Sequence, residues 1–595
     1  MSDFKTVLIE SSTIADITPE EVFGVKSGPA QSTYQQFQAV SSSNSSMVFS
    51  IQVPSENIVI DRHVLIQSTV SFTITAGNVP VGEQVMQWGL TESWNAFPLQ
   101  SLFTTMQSTI NNVAVSSNTQ DIFPMLMRMN EKGVLSRYNS MTPSNPDTQY
   151  GVYADGILSN NNPLASFSNN GYDDQYMPRG AFPTSVTIER YVNNVYTDAS
   201  PISTSATTNT WKIFVTAQFT EPFLFLSPFT NTSPCCEAGL VGINNISMNF
   251  TVDNSCKRVI STANTSITGV GANAVINSFI QSISLGISGS NTLPDQQVGF
   301  QNSRLLFNFL SLQPEQYAKI ATKNVVPYLD YPRYLTTSTN NVALAPDAST
   351  TLTSQSIQLN QVPDKILICA RVPMSQQTWK NASGFLTING ISCNFNNSSG
   401  ILASSTQNDL YNISYRNGSA QSFYEFRGKA QNNNNATGGV DVIPTTGSLL
   451  VIDPVMDFSL PAYLSSSSLG QYQFQFNLQV TNQLPYAVTP EICIITINSG
   501  VFATQMGSSA VYSGILTKEM VLRTKEQNPV PALASDEYAR LVGGRLSNMG
   551  MGNVRKMIRL HRKMDGMDRS GGVSSGGVTS GGVAGSKSRI SKHLM

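Results

Sequence analysis

Three histidines, six cysteines and a few clustered carboxylates are the residues through which this chain of 595 could do acid-base, nucleophilic or metal chemistry. His561 and His593 fall in a basic tail; only His63 lies in the body, beside Arg62 at the start of an apolar run. With a single imidazole there, neither a His-based zinc site nor a Ser/His/Asp triad has a source. The cysteines, Cys235, Cys236, Cys256, Cys369, Cys393 and Cys493, show no CxxC and no metal-ligand spacing. Several sit in apolar, strand-like runs, where a thiol packs as a small core residue. The adjacent acids Asp173-Asp174 and Glu20-Glu21 lie in polar stretches and need not face each other. A carboxylate pair distant in sequence, as in glycosidases, stays open, with nothing to mark one. Trp88, Trp94, Trp211 and Trp379 could line a sugar site, with core or loop packing the simpler reading. No catalytic, cofactor-binding or metal residue is assigned, and the expectation is a protein that is not an enzyme.

The tail offers a different chemistry. Ten of the 35 basic residues and two of the 37 acids lie from Arg545 onward, so a net charge of −2 divides into a body near −10 and a tail near +8. Within it, Val554, Met557, Ile558 and Met564 fall roughly on one helical side, with Arg555, Lys556, Arg559, Arg562 and Lys563 around them. Such a segment can meet nucleic acid, an acidic protein surface or a membrane surface. The following Gly-Gly-Val repeat, from Gly571 to Val583, is expected to be flexible. It is not a phosphate-binding loop, because Ser586 and not glycine precedes Lys587-Ser588.

Strands must position whatever the body does. From Gln471 to Thr481, Tyr472, Phe474, Phe476, Leu478 and Val480 alternate with Gln and Asn, the period of a strand with one buried face. Lys365–Ala370 is almost continuously apolar, as expected of a strand covered on both sides. Further strand-like runs are Met47–Val53, His63–Thr75, Trp211–Leu226, Ile246–Val252, Ile276–Ile287 and Ile492–Phe502. Short helices are predicted at Thr119–Met129, Gln407–Tyr411 and Pro314–Ile320, the last with proline at its first position. Asn139–Pro183, Ala199–Asn209 and Asn432–Thr446 are rich in Asn, Gly and Pro and read as surface loops.

At this length the chain must divide into two or more cores. Only 12% of residues are charged, about half the usual roughly 25%. Low charge suits subunit interfaces, where burying an ion is costly, and it equally suits a secreted Ser/Thr-rich β protein. Met1–Ile17 has no sustained apolar run and no stretch is long enough to span a membrane, so the expectation is synthesis in a reducing intracellular compartment.

One order of short motifs occurs twice. Ser50-Ile51-Gln52-Val53, Asp61-Arg62, Thr109-Ile110-Asn111, Thr119-Gln120, Glu221-Pro222 and Asn249–Asn254 are echoed by Ser356-Ile357-Gln358-Leu359, Asp364-Lys365, Thr387-Ile388-Asn389, Thr406-Gln407, Asp453-Pro454 and Asn477–Asn482. The offset shrinks from 306 residues to 228, so the first copy carries the larger insertions. Two tandem β domains with long loops point to sandwiches, and an eight-stranded jelly roll per copy protects its edges most economically.

From about Met47 to Thr504, in length, in repeat order and in stretches such as Gln120–Gly133 and Glu221–Phe229, the chain resembles double-jelly-roll viral major capsid proteins, those of Sputnik-like virophages above all. The resemblance implies a mainly β fold of two tandem eight-stranded antiparallel jelly rolls with few short helices. It divides the chain into an N-terminal arm (1–45), a first roll with long loops (46–310), a linker with a short helix (311–349), a second roll (350–505) and a basic, Gly-rich tail (506–595). It further implies homotrimers with six rolls each, tiled into an icosahedral shell around double-stranded DNA, with penton and minor capsid proteins and the genome as partners. No cofactor is implied. The protein would be made and assembled in the host cytoplasm and reside in the virion. Tower loops in this family suggest a role for Asn139–Pro183. Some related viruses trim capsid proteins after an apolar-x-Gly-Gly sequence; Leu541-Val542-Gly543-Gly544 before Arg545 fits that pattern. A carbohydrate-binding or adhesion β-sandwich is the alternative reading.

Overall fold

The structure is a computed structural model. It describes residues 4–7, 22–25 and 32–514, apart from 56–57, 78–87, 89–91, 131, 145–181, 193–194, 198–208, 230–238, 263–279, 295–296, 312–323, 338–342, 380–381, 383, 435–438, 461–463, 485 and 506.

Eight strands build the first roll: β1 (Ser32–Gln38), β2 (Ser46–Gln52), β3 (Leu65–Ala76), β4 (Phe103–Ile110), β5 (Val113–Ser117), β6 (Asn209–Pro222), β7 (Asn245–Val252) and β8 (Phe300–Ser311). They pair in the orders β1-β8-β3-β6 and β2-β7-β4-β5, the first sheet being extended by further short strands such as Ser185–Val192. The second roll is made of β9 (Asn324–Asp330), β10 (Arg333–Thr337), β11 (Ser349–Thr353), β12 (Ile357–Gln361), β13 (Lys365–Arg371), β14 (Thr387–Phe395), β15 (Ser398–Ile401), β16 (Leu450–Ile452), β17 (Leu469–Thr481) and β18 (Glu491–Gln505). Its sheets run β9-β18-β13-β16 and β11-β17-β14-β15, with β10 on β18 and β12 on β17. When β9 with β10 and β11 with β12 are each counted as one interrupted strand, both rolls have the same order: first-eighth-third-sixth facing second-seventh-fourth-fifth. This is the jelly roll, twice over.

Alternation makes the β2-β7-β4-β5 and β11-β17-β14-β15 sheets one-sided. Along β17 the residues Tyr472, Phe474, Phe476, Leu478 and Val480 are buried, while most of the intervening amides are exposed. Along β7 Ile246, Met248, Phe250 and Val252 are buried in the same way. A core of Phe49, Phe72, Phe103, Phe219, Phe250 and Phe307 fills the first roll. Ile366, Ile368, Phe395, Phe474 and Phe476 belong to the core of the second.

The repeated motifs are partly structural equivalents. Ile51 sits opposite Ile246, and Ile357 opposite Phe474, so the first and last anchors hold the same place in both rolls. Thr109-Ile110 closes β4, whereas Thr387-Ile388 opens β14, so that match is coincidental. The helical expectations at Thr119 and Gln407 are met by α2 (Thr119–Leu126) and α3 (Gln407–Arg416), which with α1 (Pro98–Leu102), α4 (Phe423–Arg427) and α5 (Pro454–Asp457) are the short helices that bear on the site. Both α2 and α3 lie between the fifth and sixth strands of their roll.

Three expectations need correction. Sheet strands occur inside the segments assigned to the arm (β1) and the linker (β9, β10), because Ser/Gln-rich or interrupted edge strands carry little apolar signal. Asn432–Thr446 is not an irregular loop: Lys429–Asn434 and Gly439–Pro444 pair as an antiparallel ribbon despite their polarity. The apolar run Trp211–Leu226 stops being a strand at Pro222; beyond it Phe223, Leu226 and Phe229 stay in the first core while Leu224 and Phe225 turn away from it. The helix expected at Pro314–Ile320, most of Asn139–Pro183 and Ala199–Asn209, Cys235, Cys236 and residues 515–595 of the tail lie outside the described residues, whereas Ser508–Ser513, in the segment assigned to the tail, is a strand paired with β18.

Candidate functional site at the seam between the rolls

A strand covered on both sides needs a second partner, and β13 has one. Ile366, Ile368 and Ala370 point into the core of the second roll. Leu367 and Cys369, on the other face, join Leu449, Val451, Cys493 and Ile495 against Ile122, Phe123, Met125 and Leu126 of α2. The outer face of the second roll's sheet is thus apolar because a helix of the first roll lies on it. Each fully buried side chain of this size contributes about 1.5–3 kcal/mol. Leu224 and Phe225, from the run that left β6, fill the same seam, and Phe225 meets Tyr331 edge-on at 6.5 Å.

One buried carboxylate pins this apolar contact. Asp121, in the first turn of α2, is fully buried and pairs with Arg371 Nη2 at 2.5 Å and with Arg333 Nη1. Arg371 closes β13 and also pairs with Glu491 of β18 at 3.1 Å. A carboxylate in the first helical turn is favoured by the helix dipole, and here it also sets the register of helix on sheet. Arg258 of the first roll donates to the Gln120 carbonyl at 2.5 Å. Burial, with Arg371 nearby, lowers the Arg258 pKa to about 10, so it stays protonated at neutral pH. Backbone and side-chain bonds continue the join: Ala420 N–H to the Arg128 carbonyl at 2.7 Å, Leu329 N–H to Ser227 Oγ at 3.1 Å, and Lys257 Nζ to the Met374 carbonyl at 3.1 Å. The Arg128 guanidinium stacks 4.9 Å over the Phe385 ring.

Glu221 supports α2 from behind. At the end of β6 its carboxylate accepts the Leu99 and Gln100 N–H groups at 2.9 and 3.0 Å and the Thr142 hydroxyl at 3.1 Å. Those amides open α1, which packs on α2. Burial raises the Glu221 pKa to about 7 against the opposing pull of these donors. Asp453, its counterpart in the repeat, caps α5 locally through Val455 and Met456 N–H. Glu189 shows the opposite balance: burial would raise its pKa, but bonds from Ser290, Thr292, Tyr191 and the Asn291 N–H bring it down to about 2.

The residues considered for chemistry are occupied structurally. His63 stacks on Tyr138 with centroids 6.3 Å apart, and burial lowers its pKa. Trp94 is fully buried between Phe72, Trp88 and Phe219, Trp211 is buried on β6, and Trp88 and Trp379 pack against the first core. They form no sugar platform. Cys256, Cys369, Cys393 and Cys493 are free and buried, and Cys369 faces Cys493 across β13 and β18. Among the described residues no group of His, Cys, Asp or Glu is arranged to hold a metal, and no helix is long and apolar enough to cross a membrane. Gly544, Arg545, Arg555, Lys556, Arg559, Arg562 and Lys563 lie outside the described residues.

Sequence reasoning missed the Asp121–Arg371 pair. An aspartate in the first turn of an otherwise apolar helix, and an arginine directly after a doubly covered strand, were its available signals. The stretches that carry the family resemblance, Gln120–Gly133 and Glu221–Phe229, supply much of the first roll's side of the seam.

Comparison with known proteins follows the same two-part division. The family model described as "Sputnik virophage major capsid protein 1st domain" matches residues 2–310, and "Major capsid protein V20 C-terminal domain" matches residues 331–500. The putative capsid protein V20 of Sputnik virophage is 27% identical over 541 residues, covering 89% of this chain and 82% of that protein. A chain of the cryo-EM structure of the Sputnik virophage superposes with a TM-score of 0.67 at 25% identity, over 90% of this chain and 98% of that one. The mavirus major capsid protein crystal structure shares the fold, with a TM-score of 0.59 at 13% identity over 89% of this chain and 98% of that one.

Removing the pinning charge tests the seam. Asp121→Ala leaves Arg371 to Glu491 alone and Arg333 without its buried carboxylate, and stability is expected to fall by about 3 kcal/mol, the low end for a broken buried pair, read from denaturant unfolding. Glu221 gives a pH signature of known sign. The folded chain holds this proton more tightly than the unfolded one, so its contribution is fully present below the ordinary value of 4.5 and declines as pH rises toward about 7. Glu221→Gln is expected to remove that component of the slope when urea midpoints are compared across this window.

Proposed function

Because the chain belongs to the Sputnik virophage major capsid protein family, which makes it a capsid-forming structural protein and not an enzyme, we propose that its working unit is a homotrimer. Three copies supply six rolls and imitate a hexagon, and these capsomers tile an icosahedral shell enclosing double-stranded DNA. The observation that carries this reading is the seam. It joins two rolls of identical strand order through an apolar contact with a buried ion pair, so that they behave as one rigid pair of similar tiles.

The remaining assignments extend from this. Penton and minor capsid proteins are the partners at the vertices and beneath the shell, and the protein is synthesised and assembled in the host cytoplasm before residing in the virion. The tail is a separable part of the chain. The chain divides into two units between Gly544 and Arg545, where Leu541-Val542-Gly543-Gly544 ends and the basic composition begins. This coincidence supports maturation cleavage at that bond. Before cleavage, Arg555, Lys556, Arg559, Arg562 and Lys563 contact the genomic DNA.

Electron microscopy of the purified protein is expected to show six-lobed particles of three chains, or closed shells; stable isolated monomers would overturn the proposal. Mass spectrometry of mature particles is expected to find chains ending at Gly544, and an intact Met595 on every copy would exclude the cleavage.

A further inference from the structure

The helices α2 and α3 occupy the same connection of their respective rolls but meet opposite fates. In α2, Ile122, Phe123, Met125 and Leu126 are buried against the neighbouring roll. In α3 only Leu410 and Ser414 are buried, both toward its own roll. Its other side is open: Tyr415 is 65% exposed, Tyr424 of α4 is 55% exposed, and Met456 of α5, next to the Asp457 that pairs with Arg416 of α3, is 65% exposed. These side chains continue an aromatic cluster, Tyr411 stacking on Tyr415 at 6.3 Å and meeting Phe423 at 5.3 Å. Tyrosine and methionine are enriched where proteins associate, and a patch that must stay soluble until it is covered cannot be as apolar as a permanent seam.

The polar pins correspond as well. Asp121 is the third residue after the N-cap of α2, and Asp409 is the third after the N-cap of α3. Asp121 is buried on arginines carried by the third and first strands of the adjoining sheet. Asp409 is exposed, and of its two oxygens Oδ2 closes the capping box with Thr406. Oδ1 accepts no hydrogen bond among the described residues.

The matching receptor lies on the first roll. Arg304 of β8 projects over the corresponding sheet, its Nε bonded to Gln67 of β3 at 2.5 Å and its Nη1 to Gln36 of β1 at 2.8 Å. It therefore stands over the first, eighth and third strands, the strands beneath the Asp121 contact in the second roll. Its partners are neutral amides, and it has no carboxylate among the described residues. The face around it, Gln67, Thr69 and Gln218, is polar and at least partly exposed, as suits an exposed face awaiting a polar, tyrosine-bearing partner.

We infer that the α3–α4–α5 face of one copy docks on the outer face of the β1-β8-β3-β6 sheet of a second copy, with Asp409 pairing to Arg304. This repeats between chains the contact that α2 makes within the chain. The inference rests on the trimer reading, because a ring of six rolls needs the second roll of each chain to meet the first roll of the next as its own first roll meets the second.

The test is charge exchange in the full chain, with copy number measured by light scattering over a dilution series. Arg304→Glu and Asp409→Lys are each expected to weaken the three-chain particle by roughly tenfold or more, and the double variant R304E/D409K to recover most of the loss. Asp409→Asn, which keeps an oxygen for the capping box, is expected to weaken assembly while leaving the circular-dichroism spectrum of the chain unchanged. If wild type forms three-chain particles but the single variants assemble as well as it does, or the double variant is no better than the singles, the contact is wrong while the trimer stands. If wild type forms no trimer, both fail.

Discussion

The contact between α2 and the outer face of the β13–β16–β18 sheet is the constraint on which the arrangement of this molecule depends. A jelly roll buries its core between two sheets and can leave the outer faces to water, so two rolls on one chain have no intrinsic reason to hold a fixed orientation. Here one outer face is apolar, through Leu367, Cys369, Val451, Cys493 and Ile495, and so must be covered. Hydrophobic burial supplies the attraction but no direction. Asp121 supplies the direction, because moving it out of reach of Arg371 would strand charges on both sides in a low-dielectric setting.

The rest of the first roll is arranged to present that helix. Glu221 fixes the amides of α1, α1 packs on α2, and Leu224 and Phe225, beyond the end of β6, fill the seam. A buried carboxyl whose pKa rises to about 7 is a costly way to hold a loop. Its position behind the seam explains its use: it satisfies three donors that a nonpolar side chain would leave unpaired. The second roll needs no such brace at the matching place. Its α3 faces outward, and Asp453 there caps the first turn of α5.

The two rolls are alike in strand order and unlike in surface, and the unlikeness carries the assembly logic. A contact made once within the chain can be largely apolar around a buried ion pair, since it is never exposed after folding. The corresponding surfaces that wait for another copy carry tyrosines, amides and single charges instead. In the proposed contact, Arg304 held by two glutamines and Asp409 held by a capping box would be the two halves of an ion pair, each with neutral partners until it is joined.

Much of this was legible in the residues. Period-two alternation in Gln471–Thr481 and Ile246–Val252 gave one-sided sheets, because side chains on a strand point alternately to opposite faces. The unbroken apolar run at Lys365–Ala370 already required covering on both faces. The repeated anchors at Ile51 and Ile357 fixed equivalent strand positions, although Thr109-Ile110-Asn111 matched by chance. Polar edge strands at Ser32–Gln38 and Arg333–Thr337 escaped notice because an edge needs no apolar face to pair. What the sequence determined by itself was therefore the two sandwiches and the existence of a second burial surface on one of them, since both follow from local periodicity. What only the tertiary structure decided was the identity of the covering element and its pin. Asp121 and Arg371 are 250 residues apart, and nothing in local composition encodes a pairing that forms only when two separate folds are brought face to face.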